Sequence, residues 1–113
     1  MTQTTYLIIA EPHSDRLAAA ARQLQHDMAA GHDISQLFFY SAGVAIATLA
    51  AYPLAARQLI EAADDHGIAL HVCSAGFQKR GYQLSPIAAQ DFAFKGLGQF
   101  MAETRDVNHI RVF

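Results

Sequence analysis

The sequence carries one cysteine, three prolines, no tryptophan, and eight lysines and arginines against ten aspartates and glutamates. Each shortage excludes something. A single cysteine forms no internal disulfide, so the fold must rest on its core, and a reducing cytoplasm is the expected location. Without a basic excess there is little to neutralise a phosphate backbone, and direct nucleic-acid reading is not expected. The longest nearly apolar stretch, Ala42 to Ala56, includes Thr48, Tyr52 and Pro53. At about 15 residues it falls short of the roughly 20 that span a bilayer, so no membrane segment is expected. Met1-Thr2-Gln3-Thr4-Thr5 has neither the basic nor the apolar part of a secretory signal.

Apolar material, in contrast, is plentiful. Of 113 residues 52% are hydrophobic and 16% charged, enough for one domain over residues 1–113 and too few residues for two. Thr5 to Ala10 is a β-branched and apolar run stopped by Glu11-Pro12, and reads as the first strand. From Asp15 to Ala30, Leu17, Ala20, Ala21, Leu24 and Met28 recur at helical spacing, between Ser14 as N-cap and Gly31 as terminator. Gln36 to Tyr40 is a second strand, Ser41-Ala42-Gly43 a turn, and Val44 to Ala50 a short helical piece. Leu54 to Asp65 is a helix closed by Gly67, and Ile68 to Cys73 a third strand. Ser74 to Gly81 is a loop or short helix, Asp91 to Phe94 a brief fourth strand, Gly96 to Thr104 a helix and His109 to Phe113 a fifth strand.

Alternating strands and helices predict an α/β fold: a flavodoxin-like, three-layer domain with a five-stranded parallel sheet of order 2-1-3-4-5. Ligands then sit beyond the carboxyl ends of strands 1 and 3, which selects Glu11 to Asp15 and the segment from Cys73 onward. Two other tenants of that sheet order fail at the decisive residue. A phosphoacceptor domain needs an aspartate where this chain has Cys73, and a flavodoxin needs a phosphate loop where it has Glu11-Pro12-His13-Ser14.

Cys73, at the end of a strand, is the candidate nucleophile. Backbone N–H groups of Ser74, Ala75 and Gly76 can turn toward its sulfur, and Lys79 and Arg80 add positive potential that favours a thiolate. The other reading is that a lone cysteine is a small packed hydrophobe. His13, at the end of strand 1, is a candidate proton shuttle or charge partner for Cys73, while Ser14 and Asp15 are more simply capping residues. The six histidines show no i, i+4 pair and no cysteine at ligand spacing, so no metal is expected. No Walker loop, GxGxxG fingerprint or Gly-x-Ser-x-Gly elbow is present, and no cofactor is expected.

Several blocks, taken in order, resemble one family. Gly31-His32-Asp33-Ile34 leading to Leu37-Phe38-Phe39-Tyr40 and Gly43-Val44, then His66 to Cys73 followed by Lys79-Arg80-Gly81, then Gly96-Leu97-Gly98-Gln99 and Arg111-Val112-Phe113, are similar to the DsrE/TusD sulfur-relay proteins. The chain departs from them after Pro12, where His13-Ser14 replaces a tyrosine-glycine turn. The resemblance implies a sulfurtransferase whose Cys73 takes sulfane sulfur as a persulfide and passes it to a partner's cysteine. It also implies sulfur-donor and sulfur-acceptor proteins as partners, a hexamer of identical or related subunits, and service in tRNA 2-thiouridine synthesis or intracellular sulfur oxidation. The rival expectation is a non-catalytic oligomeric scaffold or binding subunit of the same fold, with Cys73 merely packed.

Overall fold

Strong local signals set most element boundaries in the computed structural model, which describes residues 3–107 and 109–113. Met1 and Thr2, which begin the N-terminal segment without secretory-signal character, and Asn108 lie outside the described residues. Strand β1 (Gln3–Ile8) leads to helix α1 (Asp15–Ala29), whose N-cap Ser14 accepts from the Leu17 N–H at 3.2 Å. Gly31, at φ +84°, takes the left-handed conformation that ends the helix. Strand β2 (Asp33–Phe39) starts earlier than the sequence suggests.

The segment after β2, Ser41–Thr48, is a 3₁₀ helix rather than the expected α-helical piece from Val44. Gly43 lets this segment lie close to the sheet: a Cβ there would lie 2.3 Å from the carbonyl oxygen of Ile8, so the chain passes directly over the end of β1. Helix α2 (Leu54–Asp65), strand β3 (Ala69–Cys73) and helix α3 (Ser74–Lys79) follow. Helix α4 (Pro86–Asp91) was not expected from the sequence. Ser85 accepts from the Ala88 N–H at 3.1 Å and Pro86 occupies the first turn, a strong start for a short helix. Asp91 therefore closes α4, and strand β4 is Ala93–Lys95 instead of Asp91 to Phe94. Helix α5 (Leu97–Glu103) and strand β5 (His109–Val112) complete the chain.

All five strands are parallel, in the order β4-β3-β2-β1-β5. The α/β class, the five-stranded parallel sheet and the helices on both faces are as expected. The order 2-1-3-4-5 is corrected: β2 lies between β1 and β3, and β5 pairs with β1. Leu37, Phe38 and Phe39 are consecutive and fully buried, which requires cover on both faces and a neighbour on each side; such a strand belongs in the middle. β5, mostly exposed, is an edge strand.

Right-handed crossovers then assign the faces. The chain steps one way from β1 to β4, so α1 and α2 pack side by side on one face. It runs back from β4 to β5, so α5 crosses the other. Stacking agrees: Phe38 meets Phe100 of α5 at a centroid distance of 4.2 Å, while its neighbour Phe39 points oppositely and meets Phe92 edge-on at 5.4 Å. No helix among the described residues is long and apolar enough to cross a membrane.

Candidate functional site

Cys73 is the last residue of β3 and the N-cap of α3, so the strand delivers its sulfur to the carboxyl end of the sheet. It is only 2% exposed and belongs to the hydrophobic core. No hydrogen bond from the first turn of α3 caps its side chain, so the backbone N–H groups of Ser74, Ala75 and Gly76 do not hold the sulfur in the way the sequence suggests. A Cβ built on Gly76 would lie 3.6 Å from Cys73 Sγ and 3.8 Å from Val44 Cγ1, so the space beside Gly76 is bounded by the sulfur and by Val44.

Beside it opens a cleft of about 440 Å³ lined by Tyr40, Ser41, Gly76, Lys79 and Arg80. Three expected residues, Gly76, Lys79 and Arg80, thus come together next to Cys73. Tyr40 and Ser41 are additions that sequence reasoning missed. With β2 placed between β1 and β3, the turn after β2 falls beside Cys73, and only the strand order could have revealed that. Ser41 has φ +55°, a left-handed conformation that costs a non-glycine residue about 1 kcal/mol or more; among the described residues no other non-glycine has positive φ.

His13 is placed differently. It lines an adjoining cleft of about 240 Å³ with Glu11, Pro12, Ala42, Ala45, Leu49, Arg80 and Tyr82, and Arg80 is the residue common to both clefts. The carboxyl ends of β1 and β3 are not two lips of one crevice, because the Ser41–Thr48 segment stands between them.

A second polar group lies on the α5 face of the sheet. Lys95 is the register partner of Cys73, and its ammonium donates to Gln36 Oε1 at 3.2 Å and to Glu103. His71 Nδ1–H donates to the same Gln36 oxygen at 2.9 Å. Burial, and then the Lys95 charge, hold the His71 imidazole below its usual pKa, with Glu103 opposing. Among the described residues, no three histidine, cysteine, aspartate or glutamate side chains stand together to hold a metal ion.

The sequence model of the DsrE/DsrF-like family matches residues 4–110, nearly the whole chain. The chain belongs to this family. Within the curated relatives of this DsrE/DsrF-like chain is a protein named "Sulfurtransferase TusD homolog" from Pasteurella multocida (strain Pm70), 29% identical over 94 residues, spanning 71% of this chain and 74% of that one. Among solved structures, the ychN protein from E. coli superposes with a TM-score of 0.77 over the full length of both chains. At 16% identity that likeness shows that the DsrE/DsrF-like chain shares the fold of ychN.

Proposed function

We propose that the protein is a sulfur-relay sulfurtransferase that carries sulfane sulfur as a persulfide on Cys73. The observation that carries this reading is the position of a single cysteine at the end of β3, against a cleft whose wall holds Lys79 and Arg80, in a chain of the DsrE/DsrF-like family with a sulfurtransferase homolog among its relatives. The Cys73 thiolate attacks the outer sulfur of a donor persulfide. A new S–S bond forms, the donor's S–S bond breaks, and the donor leaves as a thiolate. The acceptor's thiolate then attacks the outer sulfur on Cys73 and releases the Cys73 thiolate unchanged. Atoms and charge balance in both halves, with no external oxidant. Lys79 and Arg80 attract an anionic donor or acceptor to the cleft, and the burial of Cys73 in the hydrophobic core limits the access of water to the held sulfur.

Partners on this reading are the donor and acceptor proteins and further subunits of an assembly. Ile110 and Val112 on β5 and Met101 on α5 leave apolar surface in water on the side of the sheet crossed by α5, which supports a subunit contact there. The relay serves tRNA thiolation or sulfur oxidation. The test is transfer of labelled sulfur from a donor persulfide through the protein to an acceptor thiol. Wild type is expected to become labelled and pass the label on; a Cys73→Ser variant that does the same contradicts the reading.

The near-complete burial of Cys73 favours a second reading, a non-catalytic subunit in which the cysteine only packs. Alkylation of the native protein separates the two. A carrier cysteine reacts while the fold is intact, and a packed one reacts only on unfolding.

A further inference from the structure

Gly76 is a glycine that the resting fold does not require. It sits in the first turn of α3, a helix that alanine would favour more strongly. Its φ is not positive, so the backbone accepts an L side chain. A Cβ there would meet nothing closer than 3.6 Å, ordinary contact with Cys73 Sγ, and would not collide with the reduced thiol. Gly43 is the opposite case, since its Cβ would strike the Ile8 carbonyl oxygen at 2.3 Å. Fold and packing therefore account for Gly43 and leave Gly76 unexplained.

The missing methyl occupies a particular place. Gly76 lines the cleft, and a Cβ on it would come within 3.6 Å of the Cys73 sulfur, whereas Cys73 itself is not part of the cleft wall. The way from the cleft to the sulfur passes over Gly76. A sulfur atom bonded to Sγ stands about 2.05 Å from it. If it points toward the cleft, it enters the space that a side chain at residue 76 would fill, because that Cβ would be only 3.6 Å from Sγ. Val44 Cγ1, 3.8 Å from the same point, closes the far side and limits the space to a small group.

We infer that Gly76 is the positioning and size-determining residue of the sulfur site: the space left by its absent side chain receives the outer sulfur of the Cys73 persulfide and admits a hydropersulfide donor's terminal sulfur, while excluding bulkier adducts. The inference rests on the persulfide reading above and adds to it a residue and a size limit.

The experiment compares wild type, Gly76→Ala and the double variant Gly76→Ala/Val44→Ala, each incubated with glutathione persulfide and followed by intact mass, with thermal melting measured in parallel. Wild type gains one sulfur. Gly76→Ala melts at or above the wild-type temperature, as a helix position gaining alanine should, yet loads at least tenfold more slowly. The double variant, with room restored from the Val44 side, recovers much of the loading, which a merely structural effect of residue 76 would not produce. Loading of Gly76→Ala at the wild-type rate overturns the role of Gly76 and leaves the carrier reading standing, and so does a slow Gly76→Ala that the second substitution fails to rescue. A wild type that takes up no sulfur overturns the carrier reading itself.

Discussion

Arg111 donates from Nε and Nη2 to the two carboxylate oxygens of Asp27, at 2.6 and 3.0 Å, and so ties the last strand to the first helix. Asp27 is fully buried on α1 and also accepts from the Tyr6 hydroxyl at 2.6 Å and the Gln23 amide at 2.8 Å. Burial pushes its pKa up, but the hydrogen bonds from Tyr6, Arg111 and Gln23 and the Arg111 charge outweigh that and hold the carboxyl below its usual range. The folded pKa is thus depressed. Its contribution is present above the unfolded value of about 4 and is lost as pH falls through the folded one.

Asp27→Asn and Arg111→Ala should each destabilise the protein by about 2 kcal/mol, moderated by solvent at the half-exposed guanidinium. Because they share one interaction, the double variant should lose less than the sum. Urea melts at pH 7 and pH 3 check both points: Asp27→Asn should show a smaller stability loss on acidification than wild type, and strict additivity would contradict the coupling.

Gly43→Ala should destabilise by about 2 kcal/mol or more, since the new methyl meets backbone at Ile8 that cannot turn aside. Denaturant midpoints are the measurement. A midpoint equal to that of wild type would show that the 3₁₀ segment is free to lift away from β1.

His71 supplies a pH dependence near neutrality. Its folded pKa lies below the usual value through burial and Lys95, so the unfolded chain binds the proton more readily. Stability from this group is complete above about pH 6.5 and falls as pH drops from there toward the folded value. Melting temperatures between pH 7.5 and 5.5 should fall more steeply for wild type than for His71→Asn, which keeps a donor for Gln36. Equal slopes would contradict the assignment.

Val112→Lys should disrupt assembly without unfolding the subunit, because Val112 is 58% exposed on the edge strand beside Ile110. Light scattering is expected to report an oligomer for wild type and a smaller species for the variant. A monomeric wild type would contradict a subunit contact on this face.

The helix ends were legible because they rest on local chemistry: Ser14 as a cap, and Gly31 and Gly67 at positive φ. The place of Cys73 at the end of a strand was legible for the same reason. Strand order was less legible, although the sequence carries a signal for it. Three consecutive large apolar residues, Leu37-Phe38-Phe39, mark a strand covered on both faces, and assigning it to an edge displaced His13 toward Cys73 and hid Tyr40 and Ser41. Helix α4 buries only Ala88 among its six residues and so leaves no periodicity; Ser85-Pro86 was its one trace. The Gln36, His71, Lys95 and Glu103 group draws on β2, β3, β4 and α5, and no spacing along the chain announces it.

Intact-mass measurement of the native protein after incubation with a persulfide donor, beside Cys73→Ser, tests the central claim most directly. The account predicts a gain of about 32 Da, one sulfur atom, on wild type, removed by reductant and absent from the variant. A native, folded wild type that gains nothing, or a Cys73→Ser variant that gains as much, would contradict it.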